Sequence, residues 1–96
     1  MIKKTILLTG ASGMVGQNLL EHPDISAYDI LTPSSSELDL RDFEKVKGYL
    51  KKHNPEMIIH AAAKVGGIQI NIQKPIEYFV DNLDMGRNII MAAYSL

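Results

Sequence analysis

Three glycines constrain this chain more than any other feature. Gly10, Gly13 and Gly16 stand at three-residue intervals in Gly10-Ala11-Ser12-Gly13-Met14-Val15-Gly16. The run before them, Thr5 to Thr9, is short, apolar and bounded by glycine, as in strands buried inside parallel sheets. After them, from Met14, the pattern turns helical: Val15, Leu19 and Leu20 are apolar, Gln17, Asn18 and Glu21 polar, and Pro23 ends the run. The glycines therefore join a strand to a helix. Gly10 permits the tight turn out of the strand, Gly13 lets backbone approach a pyrophosphate without a Cβ, and Gly16 lets the helix pack close on the sheet. The helix start then offers free N–H groups and a partial positive charge to phosphates. A glycine-rich turn without a ligand is the plain alternative. The placement between strand and helix favours a dinucleotide cradle. A P-loop is excluded, because Gln17-Asn18 follow Gly16 where Lys and Ser or Thr are needed.

The rest of the chain repeats the alternation. Ala27 to Thr32 is a second strand candidate, stopped by Pro33. Asp42 suits the N-cap of a helix whose Phe43, Val46, Tyr49 and Leu50 share a face, and Asn54-Pro55 stops it. Met57 to His60 is a third short strand, expected to be buried. Residues 63–73 read as loop around Gly66-Gly67. Pro75 suits the first turn of a long last helix, with Ile76, Phe79, Val80, Leu83, Ile90 and Ala93 as its expected buried stripe. Gly86 within that helix suggests close packing, and Asn82 a buried hydrogen bond that braces the sheet. Strand–helix alternation predicts an α/β fold: a parallel sheet with right-handed crossovers and helices on both faces. We expect residues 1–96 to be the first β-α-β-α-β-α portion of one doubly wound domain, with no internal boundary, in a longer protein.

Composition narrows the function. With 10 Lys and Arg against 11 Asp and Glu, the formal charge of −1 lacks the basic footprint of a nucleic-acid binder. The absence of Cys excludes disulfides, thiolate nucleophiles and Cys-based zinc sites. His22, His53 and His60 lack ligand spacing, so no metal is expected. The apolar run after Lys3-Lys4 is too short for a signal peptide, and no stretch is long enough for a membrane span, so a cytoplasmic location is expected.

The end of the second strand should face the adenosine ribose, where an NAD site places a carboxylate about 20 residues past the glycines. Here Thr32-Pro33-Ser34-Ser35-Ser36-Glu37 stands. Hydroxyls can donate to a 2′-phosphate, so NADP(H) is preferred. Glu37 keeps NAD(H) open. Asp42 is a helix cap rather than half of a carboxylate pair. His60 is a packed structural residue rather than an acid–base group. For Lys64 two roles stay open, contact with phosphate or substrate and a solvated side chain.

The residues also resemble a family. Thr9 to Gly16 looks like the cofactor loop of extended short-chain dehydrogenases, and Glu37-Leu38-Asp39-Leu40-Arg41-Asp42 like their loop after the second strand. His60-Ala61-Ala62-Ala63-Lys64-Val65-Gly66-Gly67-Ile68 with Asn71, and Asp81-Asn82-Leu83-Asp84-Met85, are similar to GDP-L-fucose synthases. These are bifunctional epimerase–reductases of nucleotide-sugar metabolism within the NAD-dependent epimerase/dehydratase group. The resemblance implies a Rossmann-like fold in which Gly10, Ala11, Ser12, Gly13, Met14, Val15 and Gly16 hold the pyrophosphate. It puts Ser34 and Ser35 by the 2′-phosphate and Asp39 at the adenine amino group with the Leu40 backbone beside it. Ala61, Ala62 and Ala63 would line the cofactor, and Lys64, Val65 and Gly66 would reach the substrate. It implies a GDP-sugar substrate and a homodimer. Some members carry Arg in the glycine loop and near the second strand, where Ser12 and Ser35 stand here.

The family's reaction uses a Tyr with a Lys four residues later. Four residues after Tyr28, Tyr49 and Tyr78 stand Thr32, His53 and Asn82, and Tyr94 has no such position. The Cys used for epimerisation is also missing. No catalytic residue is therefore expected in these 96 residues, and the chain alone is expected to be inactive.

Overall fold

A computed structural model describes residues 3–63 and 75–96; the expectations for Lys64, Val65 and Gly66 lie outside them. Three strands form one parallel sheet: β1 (Lys4–Thr9), β2 (Tyr28–Leu31) and β3 (Met57–His60), in the order β2-β1-β3. Leu7 pairs with Leu31 on one side and Ile58 on the other, and Thr9 pairs with His60. Among the described residues three α-helices follow the strands: α1 (Met14–Leu20), α2 (Phe43–His53) and α3 (Pro75–Tyr94). Pro23 opens a short 3-10 turn, Pro23–Ala27, capped by His22, whose Nδ1 accepts from the Asp24 N–H.

Only β1 is the buried strand that the apolar runs suggest, with Ile6, Leu7, Leu8 and Thr9 all buried. Ile58 and Ile59 of β3 are half-buried and Met57 is exposed. The reason is position: among the described residues, β2 and β3 are edges with β1 as their neighbour. Side chains alternate across a sheet, so Leu7 faces one layer while Ile6 and Leu8 face the other. Leu7 joins Leu38, Leu40, Val46, Leu50, Met85, Ile89 and Ala92 in the core, so α2 and α3 pack together on its face. The right-handed crossover rule sets α1 on the opposite face.

α2 forms as its residues dictate. The Asp42 side chain accepts from the Lys45 N–H, and Lys51, Lys52 and His53 suit the negative end of the helix dipole. Asn54 ends the helix in the left-handed region at φ 46°, its N–H bonded to the Leu50 carbonyl. Val46 and Leu50 are buried, with Phe43 and Tyr49 packed against the core, as expected.

α3 reverses the expected stripe. Its buried residues are Met85, Asn88, Ile89 and Ala92, while Ile76, Phe79, Val80, Leu83 and Ile90 are exposed and Ala93 is too. The helix has two apolar faces, and α2 covers the smaller one. The buried amide is Asn88, whose Nδ2 donates to the Leu40 carbonyl at 2.9 Å; Asn82 is half-buried. A Cβ on Gly86 would meet nothing within 4 Å, so packing among the described residues does not explain that glycine.

Candidate functional site

In a 2-1-3 sheet, connections leave β1 and β3 toward opposite faces, and the crevice outside their carboxyl ends is where ligands bind in open α/β folds. The ends of β1 and β3 are held together there. The Ala62 N–H donates to Thr9 Oγ1 at 3.2 Å, and the same oxygen lies 2.7 Å from His60 Nδ1. Thr9 is buried. Partial burial pushes the His60 pKa below its ordinary value, so the ring is neutral at pH 7. In its Nε2–H tautomer the Thr9 hydroxyl donates to Nδ1. His60 thus braces the seam through Thr9, although the residue is exposed rather than packed.

Gly10 sits against this seam with φ +71°, and a Cβ there would lie 2.6 Å from the Ala62 nitrogen. Left-handed backbone and close approach both require glycine. Gly16 is buried, and its Cβ would run into the Gly10 carbonyl oxygen and the Ala11 backbone. It thus seats α1 against the glycine loop at the end of β1. Gly13 differs. Its backbone is ordinary extended (φ −79°, ψ 176°), and a Cβ would meet only the Gly10 oxygen at 3.4 Å. The protein's own packing leaves Gly13 nearly free, which fits a backbone kept bare for a ligand. The start of α1 has no side-chain cap. Gln17 ties the helix back to the loop through its Nε2, which donates to the Ala11 carbonyl at 3.0 Å.

An open cleft of about 550 Å³ runs from this loop to the end of β2. Of the predicted residues, Gly10, Ala11, Ser12, Ser34, Ser35, Asp39, Leu40, Ala62 and Ala63 line it. Gly13, Met14, Val15, Gly16 and Ala61 do not reach its wall; Met14 and Val15 point into solvent, at 81% and 56% exposure. The cleft also takes in Thr9, Gln17, Leu20, Thr32, Pro33, Leu38 and Met85, which sequence reading did not assign to the site. Thr32 and Pro33 were legible as neighbours of the serines; Met85 comes from α3, too distant in sequence to be placed.

The serine turn is closed by Glu37. The Ser34 N–H donates to Glu37 Oε1 at 3.0 Å, and the Glu37 N–H donates to Ser34 Oγ at 3.2 Å. The backbone bond first, then the hydroxyl, holds the Glu37 carboxyl below its usual pKa. That carboxylate is turned back on the loop and is no part of the cleft wall, whereas Ser34 and Ser35 are. Asp39 lies further along, between buried Leu38 and Leu40. Arg41 bonds both its oxygens and holds its pKa below the usual value.

The model of the NAD dependent epimerase/dehydratase family matches residues 6–96. The chain is 52% identical over 88 residues to GDP-L-colitose synthase of Yersinia pseudotuberculosis, covering 92% of this chain and 29% of that protein. It is 42% identical over 91 residues to GDP-L-fucose synthase of Azorhizobium caulinodans, covering 95% of this chain and again 29% of the relative. A crystal structure of a GDP-L-fucose synthetase from Naegleria fowleri bound to NADP superposes with a TM-score of 0.75 at 28% identity, over 96% of this chain and 27% of that one. The chain thus spans under a third of the length of the curated relatives it matches. A glycine turn at the head of a central parallel strand, a cleft at the sheet's switch point and these matches lead to one conclusion: the chain belongs to the NAD dependent epimerase/dehydratase family.

Proposed function

We propose that residues 1–96 are the N-terminal NADP-binding part of one Rossmann-like domain in a GDP-L-fucose synthase-like enzyme, an epimerase–reductase acting on a GDP-linked 4-keto-6-deoxymannose. The observation that carries this reading is the cleft, whose wall joins the glycine loop, the serine turn and the end of β3. Within the Gly10 to Gly16 loop, Gly10, Ala11 and Ser12 at the cleft wall, with the bare backbone of Gly13 after them, offer N–H groups to the pyrophosphate, and Gly16 seats α1 behind them. Ser34 and Ser35 lie by the adenosine 2′-phosphate, with the Ser35 hydroxyl as donor, and the engagement of Glu37 by Ser34 supports NADP(H) over NAD(H) by keeping a carboxylate from the ribose. Asp39 accepts from the adenine amino group, and Ala61 to Ala63 flank the nicotinamide half. When bound, the cofactor supplies the hydride; this chain's residues bind and orient it. The Tyr–Lys pair for proton transfer would come from the remainder of a longer protein, as would most substrate contacts, with Lys64, Val65 and Gly66 reaching toward the sugar nucleotide.

Another nucleotide-sugar epimerase or 4-ketoreductase of the same family is the second reading, favoured by the 52% identity to a GDP-L-colitose synthase, with a non-catalytic dinucleotide-binding module as the remaining alternative. The apolar face that α3 exposes supports a homodimer of the full-length protein. We place the enzyme in the cytoplasm, in keeping with the absence, among the described residues, of a helix long and apolar enough to cross a membrane.

The test is NADPH oxidation with GDP-4-keto-6-deoxymannose. The full-length protein is expected to turn over, and pure 96-residue chain to show no activity. Activity of the short chain would sink the division of labour; NADPH oxidation by full-length protein with only a different GDP-4-keto sugar would favour the second reading.

A further inference from the structure

Asp39 stands at the cleft wall on a loop, with its side chain 39% exposed. Left to itself, a short carboxylate at such a place samples several rotamers. Arg41, two residues on, removes that freedom. Its backbone N–H donates to Asp39 Oδ1 at 3.0 Å, its Nε to the same oxygen at 3.1 Å, and its Nη2 to Oδ2 at 3.2 Å. A two-pronged guanidinium contact fixes the carboxylate plane as well as its position. Each carboxylate oxygen can accept about two hydrogen bonds. Oδ1 has two donors from Arg41 and Oδ2 has one, so one acceptor position on Oδ2 remains for a ligand.

The loop has its own anchor. The Leu40 carbonyl, between Asp39 and Arg41, accepts the buried bond from Asn88 on α3. The far side of the guanidinium reaches the same helix, with Nη1 3.9 Å from Asp81 Oδ2. The loop is thus set on α3 at both its backbone and its cationic side chain.

We infer that Arg41 is a positioning residue for the purine: its fork orients Asp39 so that one carboxylate acceptor faces the 6-amino group of a bound adenine, and its reach to Asp81 ties that acceptor to α3. The inference rests on the dinucleotide reading of the cleft. A carboxylate can only accept, so it attracts an amino group and repels a carbonyl at the same ring position. Wrong pairing there costs more than a missing contact, because a charged group is left facing a lone pair.

The experiment is calorimetric titration of the full-length protein with NADP and with its hypoxanthine analogue, in which a carbonyl replaces the 6-amino group. Wild type should prefer the adenine form by roughly tenfold or more. Arg41→Ala should weaken the adenine form and bring the two within about twofold, leaving the hypoxanthine form nearly unchanged. Arg41→Lys, which keeps the charge but loses the fork, should fall between. Equal losses for both forms in Arg41→Ala would mark a merely structural role and overturn the proposal, as would an undiminished preference. A wild type that binds both forms equally would overturn it while leaving the cofactor reading intact. A wild type that binds neither form overturns the cofactor reading, and the proposal with it.

Discussion

Thr9 Oγ1 lies 2.7 Å from His60 Nδ1 across the boundary between β1 and β3, and it also receives the Ala62 N–H. One buried hydroxyl therefore adds to the backbone bond from the Ala61 N–H to the Thr9 carbonyl in holding the two strand ends that frame the cleft. Replacing it by Val keeps the shape but orphans a backbone N–H and a ring nitrogen. Thr9→Val should cost about 1–3 kcal/mol in denaturant unfolding and weaken NADP binding, while Thr9→Ser should retain most of both. A Val variant with wild-type stability would refute this role.

The same contact has a pH signature. Burial holds the His60 pKa in the folded state below its ordinary 6.5. Between the two values the unfolded chain binds more protons, so stability rises with pH there. His60's contribution should be complete above about pH 6.5 and decline as pH falls through that value toward the folded pKa. His60→Gln should flatten the stability profile over that window. An unchanged slope would show that another group sets it.

Local chemistry made most of the frame legible. Thr5 to Thr9, the glycines, the Asp42 cap and the Asn54 stop each act within a few residues of themselves, and each element forms where they put it. Facing was less legible, because it depends on partners distant in sequence. Ile58 and Ile59 read as core, yet among the described residues β3 has only β1 beside it and the two are half-buried. On α3 the hydrophobic residues outnumber the places that α2 can cover, so periodicity selects the wrong face, and the buried Asn88 is masked by its polarity. Ser34 and Ser35 at the cleft wall could be placed because they stand just past the end of β2, and Asp39 through the family resemblance; Met85 could not.

The uncovered face of α3 makes its own prediction. Phe79 is 66% and Leu83 58% exposed, and both lie on one apolar stripe with Ile76, Val80 and Ile90. Such a face favours association in water. Sedimentation should show self-association, and Phe79→Asp with Leu83→Asp should reduce it while changing chain stability by about 0.5 kcal/mol or less per site. Ile89→Ala, on the buried face, should instead cost about 2–5 kcal/mol. A chain that stays monomeric with both residues intact would contradict the first expectation.

The glycines separate folding from binding. Gly10→Ala forces a Cβ into the Ala61–Ala62 backbone at a left-handed φ, so it should cost about 3 kcal/mol or more, or prevent folding. Gly13→Val should behave otherwise. Its backbone is extended, which β-branched residues accept, and a Cβ there would meet only one oxygen, at 3.4 Å. Stability should fall by only about 1 kcal/mol, because Val caps α1 less well than Gly, while dinucleotide affinity should be abolished because the side chain fills the space over the loop. Ser35→Asp should do neither: it should keep the fold and the pyrophosphate contact, but repel a 2′-phosphate and accept from a 2′-hydroxyl, lowering the NADP-to-NAD affinity ratio by about tenfold or more. Titrating both cofactors against the three variants, beside their unfolding curves, distinguishes the roles. Wild-type NADP affinity in Gly13→Val would remove the pyrophosphate from that loop, and an unchanged ratio in Ser35→Asp would remove the 2′-phosphate from that serine.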